Sequence, residues 1–280
     1  MLITILIVIF AVVAALTVNR LVWRRGQETG TVPSDGLQLK EVTAPLATLA
    51  VLLLAFVLVQ SFTSWSGARR AEAAEANATL LLFREADLIN NPRLRQEVRK
   101  QVICYATSVI EQEWPAMADE KISNVPNYWA STIRRSAIRQ VRSGADDAAG
   151  SAIITRDGER ATAREDRLAE ARTAVPPAMY WLMLFAVAVA LVLIGVVTIK
   201  GMSPGIHAAV VVTAAVVFTA TLLLIRDLDQ PYDGINAREP GQTTYVRGQM
   251  LAEVVGGLPC NSRGLPTDAP LFRPQTASRD

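Results

Sequence analysis

The sequence is poor in the residues that ligate soft metals. Its 280 residues include two cysteines, Cys104 and Cys260, and one histidine, His207. A zinc site needs about four clustered Cys, His or carboxylate ligands. Two cysteines so far apart predict neither a disulfide framework nor a metal site. We therefore expect no cofactor.

Catalytic motifs are also scarce. The chain contains no HExxH and no P-loop pattern, which are the signatures of zinc proteases and of nucleotide-binding loops. The long apolar runs described below contain no carboxylate, and the one histidine lies at the edge of a run. These absences argue against a membrane enzyme.

Charge is sparse and balanced. The formal net charge is +2 and only 19% of residues are charged, which is too weak a positive balance to predict a nucleic-acid partner. Hydrophobic residues make up 51% and the mean hydropathy is +0.26. A typical soluble domain is less apolar and more charged, so the composition favours a membrane protein.

The hydrophobic residues are concentrated in four runs, Leu2–Trp23, Ala44–Thr63, Ala178–Ile199 and Ile206–Ile225. About 20 apolar residues are needed to cross a hydrocarbon core of ~30 Å as a helix, and buried strands are usually only about 4–8 residues long. A charge at mid-bilayer costs at least ~2.5 kcal/mol, and the centres of the runs carry none. The sequence predicts an all-α membrane protein with four transmembrane helices in two pairs and an intervening extramembrane helical segment.

The first run could alternatively be a cleaved signal peptide. A signal peptide begins with basic residues and has a shorter apolar core. Here the arginines Arg20, Arg24 and Arg25 follow the run instead. An uncleaved span is the better interpretation.

These runs divide the chain into four predicted regions. Residues 1–65 hold the first two spans, 66–175 the helical segment, 176–226 the last two spans, and 227–280 a C-terminal tail. The tail beyond Gly256 is rich in Pro, Gly, Ser and Arg, a composition typical of disorder.

Helical spacing predicts the organisation of the intervening segment. The second span continues as a helix through 66–90, and Asn91 with Pro92 predicts an N-cap and the first residue of a new helix. The apolar side chains of this new helix fall on one face; they are Leu94, Val98, Val102, Tyr105, Val109 and Trp114. A further helix is predicted over 127–142 and a linker over 143–152. The aromatic residues are expected in a core or a subunit interface.

The distribution of arginine and lysine predicts the orientation. Four spans place both termini and the long segment on one side of the membrane. Basic residues near the span ends are slightly more numerous on that side, and the positive-inside rule then makes it cytoplasmic. We expect a multi-pass protein of the inner or plasma membrane. A cytoplasmic location would keep Cys104 reduced.

Three stretches in order resemble a bacterial membrane family known as bestrophin-like. They are Phe56–Thr79, Arg172–Trp181 and Asp227–Gly234. The family motif residues are Trp65, Pro176, Pro177, Asp227, Asp229, Pro231 and Gly234. After the fourth span, acidic residues oppose the helix dipole, so we expect Asp227 and Asp229 to have an arginine partner.

The resemblance implies a function, because bestrophins are pentameric anion channels whose second span lines a narrow apolar neck. The corresponding face here is predicted to be Thr48, Leu52, Phe56 and Gln60. The resemblance implies a homo-oligomer in the lipid bilayer, a pentamer if it follows the bestrophins, that conducts small anions such as chloride. The sequence lacks the contiguous acidic cluster of the calcium clasp in animal bestrophins.

Two other functions compete with a channel. One is a membrane enzyme, against which the missing motifs argue. The other is a non-conducting membrane scaffold, which would use residues 92–142 to bind a soluble partner and whose second span would pack against other helices. An EF-hand after the fourth span is excluded, because counting from Asp227 places Tyr232 where the loop needs glycine and Arg238 where it needs glutamate.

Overall fold

The structure is a computed structural model. It describes Ile9, Val12, Val13, Thr17 and residues 36–142, 147–197, 204–267 and 276–278. Eight helices and two short strands can be bounded in these ranges. The helices are α1 (Gly36–Glu85), α2 (Pro92–Ser108), α3 (Trp114–Ala118), α4 (Val125–Arg142), α5 (Asp147–Glu170), α6 (Pro177–Val197), α7 (Pro204–Leu228) and α8 (Gly241–Ala252). Strands β1 (Lys121–Ser123) and β2 (Thr276–Ser278) pair antiparallel, with Ile122 opposite Ala277.

Three helices within the described residues are long and apolar enough to cross a membrane. They comprise Thr43–Leu88, Pro177–Gly195 and Gly205–Leu228. These match the second, third and fourth predicted spans. The first predicted span lies largely outside the described residues, although its four described residues are helical and the Thr17 hydroxyl donates to the Val13 carbonyl at 2.8 Å.

Helix α1 is much longer than a membrane span. Its 50 residues correspond to roughly 75 Å at 1.5 Å per residue, more than twice the thickness of a hydrocarbon core. Good helix formers without proline follow its apolar part, and the helix ends only at Glu85, where the turn Ala86–Leu88 tightens to a 3-10 helix. The predicted continuation of the second span as a helix is confirmed.

Helix α2 begins as its sequence predicts. The Asn91 side chain accepts hydrogen bonds from the backbone N–H groups of Arg93 and Leu94, at 3.0 and 3.3 Å, and Pro92 occupies the first turn. This satisfies two of the amides that a helix start leaves without partners.

The predicted apolar face of α2 lies in the core. Val98, Val102, Tyr105 and Val109 are all at most 1% exposed. They pack with the aromatic and aliphatic residues of neighbouring helices, including Trp129 of α4. The expectation that the aromatic residues of this segment belong to a core is confirmed for Tyr105, Trp114 and Trp129.

The chain forms two compact units. The first comprises Met1–Thr63 and Thr173–Asp229, and the second comprises Ser64–Arg172 and Gln230–Asp280. The core of the first unit is built from α1, α6 and α7 around fully buried Met183, Leu191 and Leu222. The core of the second unit is built from the far half of α1 with α2, α4 and the C-terminal residues.

Two predictions for irregular segments are wrong. Helix α5 begins at Asp147, so residues 147–152 of the predicted linker are helical. The tail is not disordered over residues 257–267: the Thr267 N–H donates to the Pro259 carbonyl and the Asn261 N–H to the Leu265 carbonyl, at 3.0 and 2.9 Å. Composition indicated disorder because it cannot register contacts with distant residues.

The prediction that the two cysteines form no disulfide is also wrong. Cys104 of α2 and Cys260 of the C-terminal segment form a disulfide, with Cα atoms 5.8 Å apart and a sequence separation of 156. Cys104 is completely buried and Cys260 is 8% exposed. Sequence distance gave no sign of the pair, because the fold alone brings the two residues together.

Contacts other than the disulfide bond also position the C-terminal segment. The Trp129 indole N–H donates to the Gly264 carbonyl at 2.7 Å. Gly264 has φ +72°, and a Cβ there would lie 2.5 Å from the Ser108 nitrogen, so only glycine fits this approach. The disulfide bond therefore links to α2 a segment that these two contacts also hold in place.

Cys260→Ala is expected to destabilise the second unit by about 2–4 kcal/mol, because the cross-link restricts the unfolded chain over a long loop. Thermal unfolding in detergent, followed by tryptophan fluorescence, measures the change. Dithiothreitol should lower the melting temperature of the wild-type chain and leave Cys260→Ala unaffected. Two free thiols in unreduced, unfolded wild-type protein would contradict the disulfide.

Candidate functional site

The predicted pore face forms an exposed stripe on α1. Thr48, Leu52, Phe56 and Gln60 recur every four residues and are all exposed in the single chain. Phe56 is 73% exposed and Leu52 47%. Residues at this spacing lie one above another on a helix, so the four side chains form a continuous strip that no described part of the chain covers.

The opposite face of α1 is buried. Ala50, Leu54 and Val57 are at most 4% exposed, and Ser61 is fully buried. Leu54 and Val57 pack in the core of the first unit. Packing within the chain therefore fixes the rotation of α1 and leaves the predicted stripe facing outward.

Trp65 lies one turn beyond the stripe and has a structural role. Its indole N–H donates to the Asn236 carbonyl at 3.2 Å, and the guanidinium carbon of Arg238 lies 3.5 Å from the ring centroid. Cation–π contacts of this kind contribute about 0.5–2 kcal/mol. Trp65 thus anchors the segment after α7 to α1.

The Pro-Pro motif and Asp229 meet at the start of α6. One Asp229 carboxylate oxygen accepts hydrogen bonds from the N–H groups of Ala174 and Val175, both at 2.8 Å. Pro177 is the first residue of α6, and the Pro176 carbonyl accepts from Met179 at 2.9 Å. The prediction that an arginine pairs with Asp229 is wrong among the described residues, because backbone amides hold the carboxylate instead.

The remaining motif residues shape the chain after α7. The Pro231 carbonyl accepts from the Arg238 N–H at 2.7 Å, and Gly234 has φ +99°, a conformation that residues with a Cβ rarely adopt. Tyr232 packs edge-to-face on Trp114 with ring centroids 5.0 Å apart. Asp227 is buried at 5% exposure.

A buried ion network joins distant parts of the second unit. Arg167 of α5 forms salt bridges with Glu75 of α1 and with Glu113, and all three side chains are at most 3% exposed. Arg164, one turn before Arg167, also pairs with Glu113. The Tyr105 hydroxyl donates to Glu75 at 2.5 Å.

Glu113 reaches this network through an irregular turn. Residues Val109–Glu113 form a π-helical turn between α2 and α3, and the Trp114 N–H bonds to the Val109 carbonyl five residues back. Pro115 follows, which lacks an N–H and clashes with the carbonyl four residues before it. The wider turn accommodates this proline.

Electrostatics favour the charged forms in this network. Burial raises the pKa of the Glu113 carboxyl, but Arg167 and Arg164 together hold that pKa below its ordinary value of 4.5. Burial lowers the pKa of Arg167, and the carboxylates of Glu75 and Glu113 more than reverse this effect. Burial raises the pKa of the Tyr105 hydroxyl, which stays protonated as a donor.

This network was not predicted from the sequence. Its principal ion pairs are buried and join separate helices. One signal was present: the arginines Arg160, Arg164 and Arg167 share one face of α5. Their partners could not be read from sequence, because Glu75 and Glu113 lie on other elements.

Arg167→Met should lower the free energy of unfolding by about 3–5 kcal/mol, because it leaves Glu75 and Glu113 buried with an unpaired charge. Arg139→Met is the matched control. Arg139 pairs with Glu97, but its side chain is 62% exposed, so its loss should cost less than about 1 kcal/mol. Denaturant unfolding in detergent measures both, and equal losses would contradict a central role of the network.

In the part of the chain that the structure describes, no group of three or more His, Cys, Asp or Glu could hold a metal ion. The stretch Gly201–Gly205 reads GMSPG and matches the pattern of a hydrolase nucleophile elbow. A nucleophile elbow joins a strand to a helix. The described elements nearest to this stretch are both helices, α6 ending at Val197 and α7 beginning at Pro204.

Comparisons with known proteins agree with the fold. A bacterial bestrophin homologue from Klebsiella pneumoniae, solved by Zn-SAD phasing, superposes with a TM-score of 0.69 at 13% identity, covering 89% of this chain and 97% of that one. A single-substitution variant of the Klebsiella pneumoniae homologue gives 0.70 at 12% identity, covering 89% and 98%. No curated protein sequence matches the chain.

At such low identity these superpositions establish the fold alone. The family comes from the sequence model of the bestrophin-like domain, which matches residues 5–240. That range includes all three stretches on which the resemblance rested. The chain is a membrane protein that belongs to the bestrophin-like domain family.

Proposed function

We propose that this protein is a homo-oligomeric anion channel in which the stripe Thr48, Leu52, Phe56 and Gln60 lines the pore. The observation that carries the proposal is the exposure of this stripe on a helix whose opposite face is buried. A pore helix requires this arrangement, with one side committed to its own subunit and the other free to face a central axis.

The stripe has the chemistry of a gated constriction. Rings of Leu52 and Phe56 from several subunits would make an apolar neck, and such necks close by excluding water. The Thr48 hydroxyl donates to the Ala44 carbonyl at 2.8 Å, so its oxygen and methyl group would face the axis. Gln60, at the other end, would offer amide N–H donors to a passing anion.

Nearby charge supports anions over cations. Arg69 and Arg70 follow Gln60 on α1 by about two and a half turns, and both are exposed. Neither forms an ion pair with another described residue. Unpaired arginines at one end of a pore raise the local concentration of anions, and chloride is the simplest candidate.

Family membership supports an assembly of several copies. We infer four spans in each subunit, the first being the run Leu2–Trp23, and a pentamer around the α1 stripes, as the bestrophin resemblance implies. We also infer that the protein lies in the cell membrane with its second unit and both termini in the cytoplasm. A disulfide is unusual in that compartment, but Cys104 is completely buried and Cys260 only 8% exposed, and a thiol must reach one of the sulfurs to reduce the bond.

Phe56→Ala should raise chloride flux through liposomes at least about threefold, because removing the large ring lowers the barrier to water and ions in the neck; about 1.4 kcal/mol of barrier is a tenfold change in rate. Phe62→Ala is the matched control. Phe62 is 54% exposed on the same helix, but six residues away, which places it on a different face. Its substitution should leave the flux near that of the wild-type chain.

The flux assay also separates the channel from the scaffold. Equal effects of the two substitutions would contradict the assignment of the stripe. Absence of flux from correctly assembled wild-type protein would contradict the channel itself and favour the scaffold. In that case crosslinking through residues 92–142 should recover a soluble partner.

A further inference from the structure

The second unit contains a cavity of about 650 Å³ whose lining includes none of the stripe residues. Helices α2 and α4 form two of its sides and the segment Gly257–Thr267 forms the third. This volume is within the usual range of small-molecule sites. We propose that the cavity binds a small organic anion that carries an aromatic ring.

The first argument is charge. Arg93 and Lys100 line the cavity, and neither forms an ion pair or a side-chain hydrogen bond with another described residue. The acid in the lining, Glu97, is already neutralised by Arg139 at 2.6 Å and accepts from the Gln101 amide at 3.0 Å. Two cations are thus left for an anionic group of a ligand, such as a carboxylate or a phosphate.

The second argument is the apolar part of the lining. Tyr128 and Trp129 pack edge-to-face with centroids 5.1 Å apart, which fixes the orientation of both rings. Leu258, Pro259 and Pro266 line the same cavity from the C-terminal segment. A lining that combines aromatic, leucine and proline residues favours a flat, apolar group beside the anionic one.

The cavity is also preorganised. The Cys104–Cys260 disulfide and the Trp129–Gly264 hydrogen bond hold its third side in place. A ligand therefore does not have to order this segment when it binds, and preorganisation of this kind increases affinity. The site is independent of the pore stripe, so it would exist even in a protein that did not conduct.

Calorimetric titration of the full-length protein in detergent tests the proposal, with adenosine 5′-monophosphate and benzoate as probes. At least one probe should bind more tightly than inorganic phosphate and than neutral adenosine, since each of these lacks half of the required chemistry. Lys100→Gln and Arg93→Gln should each weaken binding about tenfold, the usual effect of losing one charge-assisted contact.

Arg134→Gln is the matched control. Arg134 is exposed on α4 and does not line the cavity, so its substitution should leave binding unchanged. Tyr128→Leu should weaken the binding of the aromatic probe and leave any binding of phosphate unchanged. The proposal is overturned if neither probe binds, if phosphate binds as tightly as both probes, or if Lys100→Gln and Arg134→Gln have equal effects.

Discussion

The structure depends on one constraint, which is that hydrocarbon offers no partner to a polar backbone group. A chain that crosses the bilayer must form all its hydrogen bonds internally, and a helix does so with each residue. Helix α1 meets this requirement through its apolar part and then continues without a break to Glu85. Helix α1 contributes the exposed stripe Thr48, Leu52, Phe56 and Gln60 to one unit and the buried Glu75 to the other.

The two units are stabilised in different ways. The first unit relies on apolar packing around residues such as Met183 and Leu222, as expected where side chains contact lipid and each other. The second unit adds a buried ion network and a disulfide to its apolar core. Buried charges are costly unless they are fully paired, and Glu113 satisfies this by accepting from both Arg164 and Arg167.

In the described chain, the family motif residues hold helices and turns in place. Asp229 holds the amides before α6, Trp65 stacks with Arg238, and Gly234 permits a turn with positive φ. Such roles explain why the three stretches can identify a fold without revealing an activity. The proposed functions lie elsewhere, on the exposed stripe of α1 and in the lining of the cavity in the second unit.

Local physics explains which features were predictable. The second, third and fourth spans, the cap at Asn91 and the buried face of α2 follow from runs and spacings of neighbouring residues, and the structure reproduces them. The Cys104–Cys260 bond, the salt bridges of Glu113 and the close contact between Gly264 and Ser108 each join residues far apart in sequence. No local pattern predicts such pairs, and the helical start of α5 at Asp147 was hidden by the small and polar residues around it.

The central claim is that the α1 stripes of several subunits surround one axis. The mass of the intact assembly, measured by native mass spectrometry from detergent, tests it most directly. The account predicts five copies of the 30.3 kDa chain in one particle. A monomer under conditions that preserve the fold would contradict it, because a single chain cannot enclose a pore with one exposed stripe.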